Sequence, residues 1–267
     1  PLNSKLNREK TAQIMFEIFN TPGIYISQTS ILSLYSTGKT TGVIVDIGHG
    51  STFHVPIFEG YAYPHTTLKT SLGGKDINEH LNSLLINSGI NISANPDIIR
   101  GIKEKLCYVS TDYEKELKEA SFTGSTDIQY NLPDGQEIKV GIERFIGPEI
   151  LFKPELFNCE FVGIHEQCYQ SIMKSDIEIR KELYSNIILS GGSSMFEYLP
   201  ERLTKEIQNL IPSSQALNVK IMAMPERNYS AWIGASILSS LGNFQIMWVT
   251  KTEYDDAGPQ IVHRKCL

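Results

Sequence analysis

Basic charge is in short supply: 24 lysines and arginines stand against 30 aspartates and glutamates, a net charge of −6. A nucleic-acid surface neutralises phosphates with clustered cations, and no such cluster runs through the sequence, so no nucleic-acid partner is expected. No apolar run approaches the roughly 18 residues of a membrane-spanning helix, which argues against membrane insertion. No basic-then-apolar secretory signal opens the sequence, and cytoplasmic residence is the expectation. Cysteine is sparse: Cys107, Cys159, Cys168 and Cys266 form no C-x-x-C pair and no metal-ligand spacing, so free thiols are expected. Repeats and low-complexity segments are missing too, which excludes a solenoid. The chain starts Pro1-Leu2-Asn3 without an initiating methionine, and its motifs lead to the expectation of a partial chain.

What is present is the composition of a globular protein, 41% hydrophobic and 20% charged over 267 residues. That length suits two domains, or one with a second inserted. Strands and helices alternate, which favours an α/β protein. Asn7 is a plausible N-cap for a helix with Ala12, Met15, Phe16 and Phe19 at helical spacing, ended by Pro22-Gly23. A second helix over Gln28 to Tyr35 turns Ile31, Leu32 and Tyr35 inward. A hairpin comes next: Gly42 to Asp46, a turn at Ile47-Gly48-His49-Gly50, and a return strand from Val55 to Phe58. Gly73 and Gly74 introduce a helix with Ile77, Leu81, Leu84 and Leu85 inside, and another starts near Pro96-Asp97 with Ile98, Ile102 and Leu106 inside. Thr111 to Glu143 is polar and turn-rich around Pro133-Asp134-Gly135, and is expected to form a peripheral lobe. Later, Asn186 to Leu189 reads as a buried strand, succeeded by a helix carrying Leu199, Leu203, Ile207 and Leu210. A strand from Val219 to Ala223 and a helix from Tyr229 to Leu241 complete the pattern.

Two glycine-rich turns could carry chemistry. At Asp46-Ile47-Gly48-His49-Gly50, glycines would let backbone N–H groups approach a phosphate, although a tight β-turn explains the same residues. Ser190-Gly191-Gly192-Ser193 joins a strand to a helix, where free N–H groups and the helix dipole suit an anion, although turn geometry alone accounts for it equally well. Neither matches the P-loop or Rossmann pattern. Arg100, Lys103 and Glu104 share a helical face that could touch a ribose or base edge, or could be an ordinary solvated stripe. Asp46, at a strand end, could hold a Mg²⁺-bound water. No Ser/His/Asp triad or zinc signature is recoverable.

Longer segments resemble a known family. Asn7-Arg8-Glu9-Lys10 with Gln13-Ile14-Met15-Phe16-Glu17, Val55-Pro56-Ile57-Phe58-Glu59-Gly60-Tyr61-Ala62, Ile102-Lys103-Glu104-Lys105-Leu106-Cys107-Tyr108-Val109 and Gly163-Ile164-His165-Glu166 resemble actin. The tail from Glu253 through Pro259 and from Ile261 to Cys266 is similar to the conventional actin C-terminus. The resemblance runs the whole length of the chain, with a small deletion near Asn91 to Pro96. It implies the α/β fold shared by actin, Hsp70 and hexokinase (ribonuclease H-like), with four subdomains around a cleft holding ATP and Mg²⁺. It also implies filament assembly, actin-binding partners and a cytoskeletal location. The fold is expected to be partial, lacking the N-terminal part of the first subdomain, with its phosphate loop, and the whole second subdomain. Residues 1–36 and 229–267 would belong to the first subdomain, 37–72 and 160–228 to the third, and 73–159 to the fourth.

By the same resemblance, Asp46, Gly48 and Gly50 match the family's second phosphate loop, with Asp46 reaching Mg²⁺ through water. Gly74, Arg100, Lys103, Glu104, Gly191, Gly192 and Met195 match its nucleotide contacts, while Ser193 and Phe196 replace a Thr and a Tyr. Four positions depart from the pattern. His49 replaces an Asp of the phosphate loop, Thr29 a water-positioning Gln, Phe53 a water-positioning His, and Asn228 a Lys beside the adenine pocket. Gln28 and His54 lie one residue away, but the matches at Phe19-Asn20, Gly38, Asp46 and Pro56 hold the register. On a strand, one residue's displacement sends His54 to the opposite face. No catalytic residue is therefore expected to be intact, and the expectation is a structural or interaction protein of the actin type, defective in ATP hydrolysis. The alternatives are an ATP-hydrolysing actin whose N-terminal segment lies outside this sequence, and the product of a truncated gene copy without function. Apolar surface left uncovered on the first-subdomain helices would make the chain prone to aggregation.

Overall fold

The computed structural model describes residues 1–90, 92, 95–123, 127–133, 135–212 and 218–266. Asp134 of the expected turn, Asn91, Ser93 and Ala94 of the expected deletion, and Leu267 lie outside the described residues.

Helix α1 (Lys5–Gln13) begins at Ser4, whose hydroxyl accepts the Asn7 N–H at 3.1 Å. Ser4, not Asn7, is the cap, because its extended backbone lets the short side chain reach an amide of the first turn. The helix runs on through one π turn, Ile14–Ile18, and this wider turn rotates Phe19 away from the buried stripe. Ala12 and Phe16 are buried, Met15 is half-buried and Phe19 is exposed. After β1 (Gly23–Ile24), α2 (Thr29–Tyr35) buries Ser30, Ile31, Ser33 and Leu34, whereas Leu32 and Tyr35 are only half-buried.

Strands β2 (Gly42–Ile47) and β3 (Thr52–Phe58) form the antiparallel hairpin, and β4 (Tyr61–Ala62) and β5 (Leu68–Thr70) pair along the outer edge of β3. Helices α3 (Gly74–Asn87) and α4 (Pro96–Leu106) bury Ile77, Leu81, Leu85, Ile99 and Ile102. The Thr111–Glu143 stretch is more regular than its polarity suggests. It holds α5 (Tyr113–Thr123) and a hairpin of β6 (Ile128–Asn131) and β7 (Glu137–Val140), and leads into α6 (Glu143–Glu149). The Glu-Lys-Glu-Leu-Lys-Glu-Ala run of α5 is made of strong helix formers, so propensity supplies what hydrophobic periodicity did not reveal.

Helices α7 (Ile164–Met173) and α8 (Ile177–Tyr184), strand β8 (Ile187–Ser190), helix α9 (Leu199–Leu210) and strand β9 (Ile221–Met222) complete the main sheet. Its order is β4-β3-β2-β8-β9, with β5 also on β3, and β2, β8 and β9 run parallel. The chain closes with α10 (Ser230–Ser239), α11 (Phe244–Met247), β10 (Val249–Thr250) paired to β1, α12 (Lys251–Ala257) and α13 (Val262–Lys265).

Period-two alternation along β2 feeds two cores. Val43, Val45 and Ile47 join the large cluster that includes Ile77, Ile102, Ile164 and Leu203, while Ile44 joins Ile31, Leu34, Val55, Ile57 and Ile188 beneath α2. Helix α10 packs directly on α2. A Cβ on Gly234 would stand 2.5 Å from the Leu32 carbonyl carbon, so only glycine permits this approach. The two ends of the chain share a smaller core in which Phe16 stacks on Tyr254 with centroids 4.5 Å apart.

Candidate functional site

The two glycine turns meet. The Gly48 carbonyl accepts the Gly74 N–H at 2.9 Å and the Ser193 hydroxyl at 3.1 Å, while the His49 carbonyl accepts the Lys75 N–H at 2.7 Å. The Lys103 ammonium donates to the Gly74 carbonyl at 3.0 Å. Gly191 has φ +91°, and a Cβ there would lie 2.6 Å from Asp46 Oδ1, so both its backbone and its neighbours demand glycine. The first amides of α3 are thus consumed by the β2–β3 turn. The Gly191-Gly192 loop runs into a single 3₁₀ turn, Gly192–Ser194, and α9 begins only at Leu199. A helix N-terminus poised over this loop, expected from the sequence, is therefore corrected: the backbone turns once before the helix starts.

Beside the turns lies a cleft of about 720 Å³. His49 reaches it from the hairpin tip, and Arg100, Lys103 and Glu104 from α4. Gly192, Ser193, Met195 and Phe196 line it from the second turn, and Asn228 from the start of α10. The α4 residues divide: Arg100 and Glu104 are exposed, whereas Lys103 is turned inward with 6% of its surface accessible. Burial lowers the pKa of its ammonium, partly offset by Glu104. Phe196 is largely absorbed into the core. Gly48, Gly50, Gly74 and Gly191 shape the wall without lining the space, and Thr29 sits exposed in the first turn of α2.

Asp46 also stands back from the cleft. Across the sheet it belongs to a row Lys69–Phe53–Asp46–Ser190 on the α2 face. Burial raises the pKa of its carboxyl, and the Pro1 amine and a hydrogen bond with Ser190 pull it partly back. Phe53 is therefore the residue beside Asp46, with the Lys69 ammonium 5.6 Å from its ring centroid. His54 is fully buried on the other face, toward Ile164, and burial pushes its pKa down to about 3. It cannot act in the cleft.

Sequence reasoning missed Tyr108, Arg144 and Tyr229, which also line the space. The Arg144 guanidinium lies 4.9 Å over the Tyr108 ring and donates to the Leu106 carbonyl. Tyr108 comes to the cleft because its backbone bridges to Glu197, a pairing between distant segments that no local pattern announces.

The residues present suit an anionic ligand better than a divalent metal. Mg²⁺ wants carboxylate oxygens and water, yet Asp46 is withdrawn from the cleft, burial raises the pKa of its carboxyl, and the turn tip carries an imidazole. Among the described residues no three His, Cys, Asp or Glu side chains gather as a metal site. None of the described helices is long and apolar enough to cross a membrane.

Fold and site together define a class: a mixed α/β protein with paired glycine turns meeting behind an open, polar cleft. The Actin family model matches the chain over residues 1–98 and again over 88–267, and the chain belongs to the actin family. The two matches overlap over residues 88–98. The sheet and its flanking helices fit an actin-like fold. Members of the family typically bind ATP and Mg²⁺.

Proposed function

We propose that this chain is a structural or interaction protein of the actin cytoskeleton, contacting actin filaments or actin-binding proteins, with a nucleotide-type cleft that does not hydrolyse ATP at a useful rate. The observation that carries the second half is the row beside Asp46. Phe53 sits beside Asp46 where the family resemblance puts a water-positioning base, Thr29 offers only a hydroxyl at the exposed start of α2, and His54 is sealed on the opposite face. Losing one positioned proton-handling group costs about 10²–10⁴ in rate, and here two are replaced. ATP would be held by the residues lining the cleft, with Arg100 and Lys103 opposing its charge. When bound, Mg²⁺ would supply Lewis-acid stabilisation of the phosphates, but the donor set does not fit it. The interaction half rests on family membership and on apolar side chains left open on α10 and α11, where Trp232 is 73% and Ile246 77% exposed. A single-turnover assay with γ-labelled ATP tests the reading. No phosphate release above a protein-free control is expected, and release at the rate of conventional actin overturns it.

A further inference from the structure

The cleft and the metal pole that the family implies point in different directions, and this has a chemical consequence. Four cations line the space, Arg100, Lys103, Lys105 and Arg144, against two carboxylates, Glu104 and Glu197. Arg100 is already met by Asp97 at 3.2 Å and by Glu104 at 4.0 Å. Lys103 is the built element of the set: it is 6% exposed, it donates a hydrogen bond to the Gly74 carbonyl, and among the described residues no carboxylate lies within ion-pair distance of it. A buried ammonium solvated by a carbonyl gains from an anion brought beside it. At the opposite pole, the side chain that reaches the cleft from the β2–β3 turn is the His49 imidazole. Neutral, it is a ligand type that Mg²⁺ avoids, and charged, it repels the ion. Asp46, the remaining carboxylate of the turn, is held by Ser190 and faces α2.

We propose that the cleft binds a nucleoside di- or triphosphate in its metal-free form, with cationic side chains meeting the phosphate charge that a divalent ion meets elsewhere in the family. This deepens the reading of the cleft as a nucleotide site and rests on it. Linkage gives the signature. A metal that makes no favourable contact in the complex cannot raise nucleotide affinity, because the coupling between two ligands is reciprocal. Mg²⁺ that pairs with the phosphates in solution removes charge that the cleft would have used, so added Mg²⁺ leaves affinity unchanged or lowers it.

The experiment is calorimetric titration of ADP into the full 267-residue chain, once with a chelator and once with excess MgCl₂, repeated with His49→Asp. For the parent, the dissociation constant is expected to agree within about threefold between the two conditions, or to be weaker with Mg²⁺. His49 is exposed at a turn tip, so the substitution is expected to fold, and the restored carboxylate should make Mg²⁺ tighten ADP by about fivefold or more. Tightening of the parent by Mg²⁺ of about tenfold overturns the metal-free proposal while leaving the cleft a nucleotide site. No ADP binding in either condition overturns the nucleotide reading and the proposal with it. A His49→Asp variant as indifferent to Mg²⁺ as the parent removes His49 as the determinant and overturns that assignment.

Discussion

Replacing Gly234 by alanine sets two effects of opposite sign against each other. In the middle of a helix, alanine gains about 1 kcal/mol over glycine from propensity. Here the new methyl would lie 2.5 Å from the Leu32 carbonyl carbon, 3.0 Å from its Cα and closer still to its oxygen. Restoring normal contact requires α2 and α10 to part by about 1 Å. That displacement falls on three hydroxyls one helical turn away. Ser33 of α2, Ser190 at the end of β8 and Ser230 at the start of α10 hydrogen-bond one another at 3.0, 2.9 and 3.1 Å, all buried. An added 1 Å or so takes the Ser190–Ser230 and Ser33–Ser230 contacts beyond bonding range; Ser230 keeps the Arg227 carbonyl and Ser33 keeps Ser190, so each lost bond costs about 0.5–1.5 kcal/mol and the strain of overpacking adds about 1–3 kcal/mol. The clash therefore outweighs propensity, and a net loss of about 3 kcal/mol is expected. Urea unfolding monitored by circular dichroism measures it against Gly242→Ala, where a Cβ meets nothing within 4 Å and a change within about 0.5 kcal/mol is expected. A Gly234→Ala protein as stable as the parent, or more so, would refute the packing argument.

Glu149 is fully buried against Arg202, at 3.0 Å, and burial raises its pKa to about 7. A raised carboxylate favours the protonated fold, so its contribution is complete below the ordinary glutamate value and is lost as pH rises toward 7. Relative to Glu149→Gln, the parent is expected to lose about 2 kcal/mol between pH 5 and pH 7.5, and a stability difference independent of pH would sink the assignment. Thiol labelling of the native protein is expected to modify half-buried Cys159 first, although burial raises its pKa too. Cys107, Cys168 and Cys266 are buried and their pKa values are raised by burial, to about 12 for the first two, so equal reactivity of all four would contradict the packing.

Much of the element order was legible because buried strands and amphipathic helices impose their own periods. The β2–β3 hairpin, strand β8 and most of the α3 stripe are where apolar spacing puts them, whereas α4 buries Ile99 with Ile102 and leaves Ile98 and Leu106 of the expected stripe half-buried. Local signals failed where a tertiary partner or a side-chain cap decides the outcome. Ser4 outcompetes Asn7 as a cap, a π turn throws Phe19 outward, and α2 is gripped on two sides so that Leu34 is buried instead of Leu32. At the cleft, the motif residues could be named from the chain. That Lys103 is buried and Asp46 withdrawn could not, since both depend on how the turns dock on each other. Tyr108 and Arg144 left no sequence signal because their place depends on pairing between distant segments.

The division between kept and replaced positions has a physical rationale. Gly48, Gly74, Gly191, Ser193 and Lys103, read from the sequence resemblance as kept or nearly so, hold one another through backbone contacts, side-chain hydrogen bonds and close approaches. Substituting Gly191 would force a side chain against Asp46, so the fold constrains it whether or not a ligand is bound. Thr29, His49 and Asn228, read from the same resemblance as replaced, are exposed. Phe53, which the resemblance reads as standing in for a polar side chain, is the exception: it is half-buried and packs against the α2 core. Retained glycines therefore argue for the fold and not by themselves for a ligand. Lys103 differs from them: it is a buried ammonium that lines the cleft and donates to the Gly74 carbonyl, with no carboxylate among the described residues close enough to pair with it, and the proposed nucleotide would answer its charge.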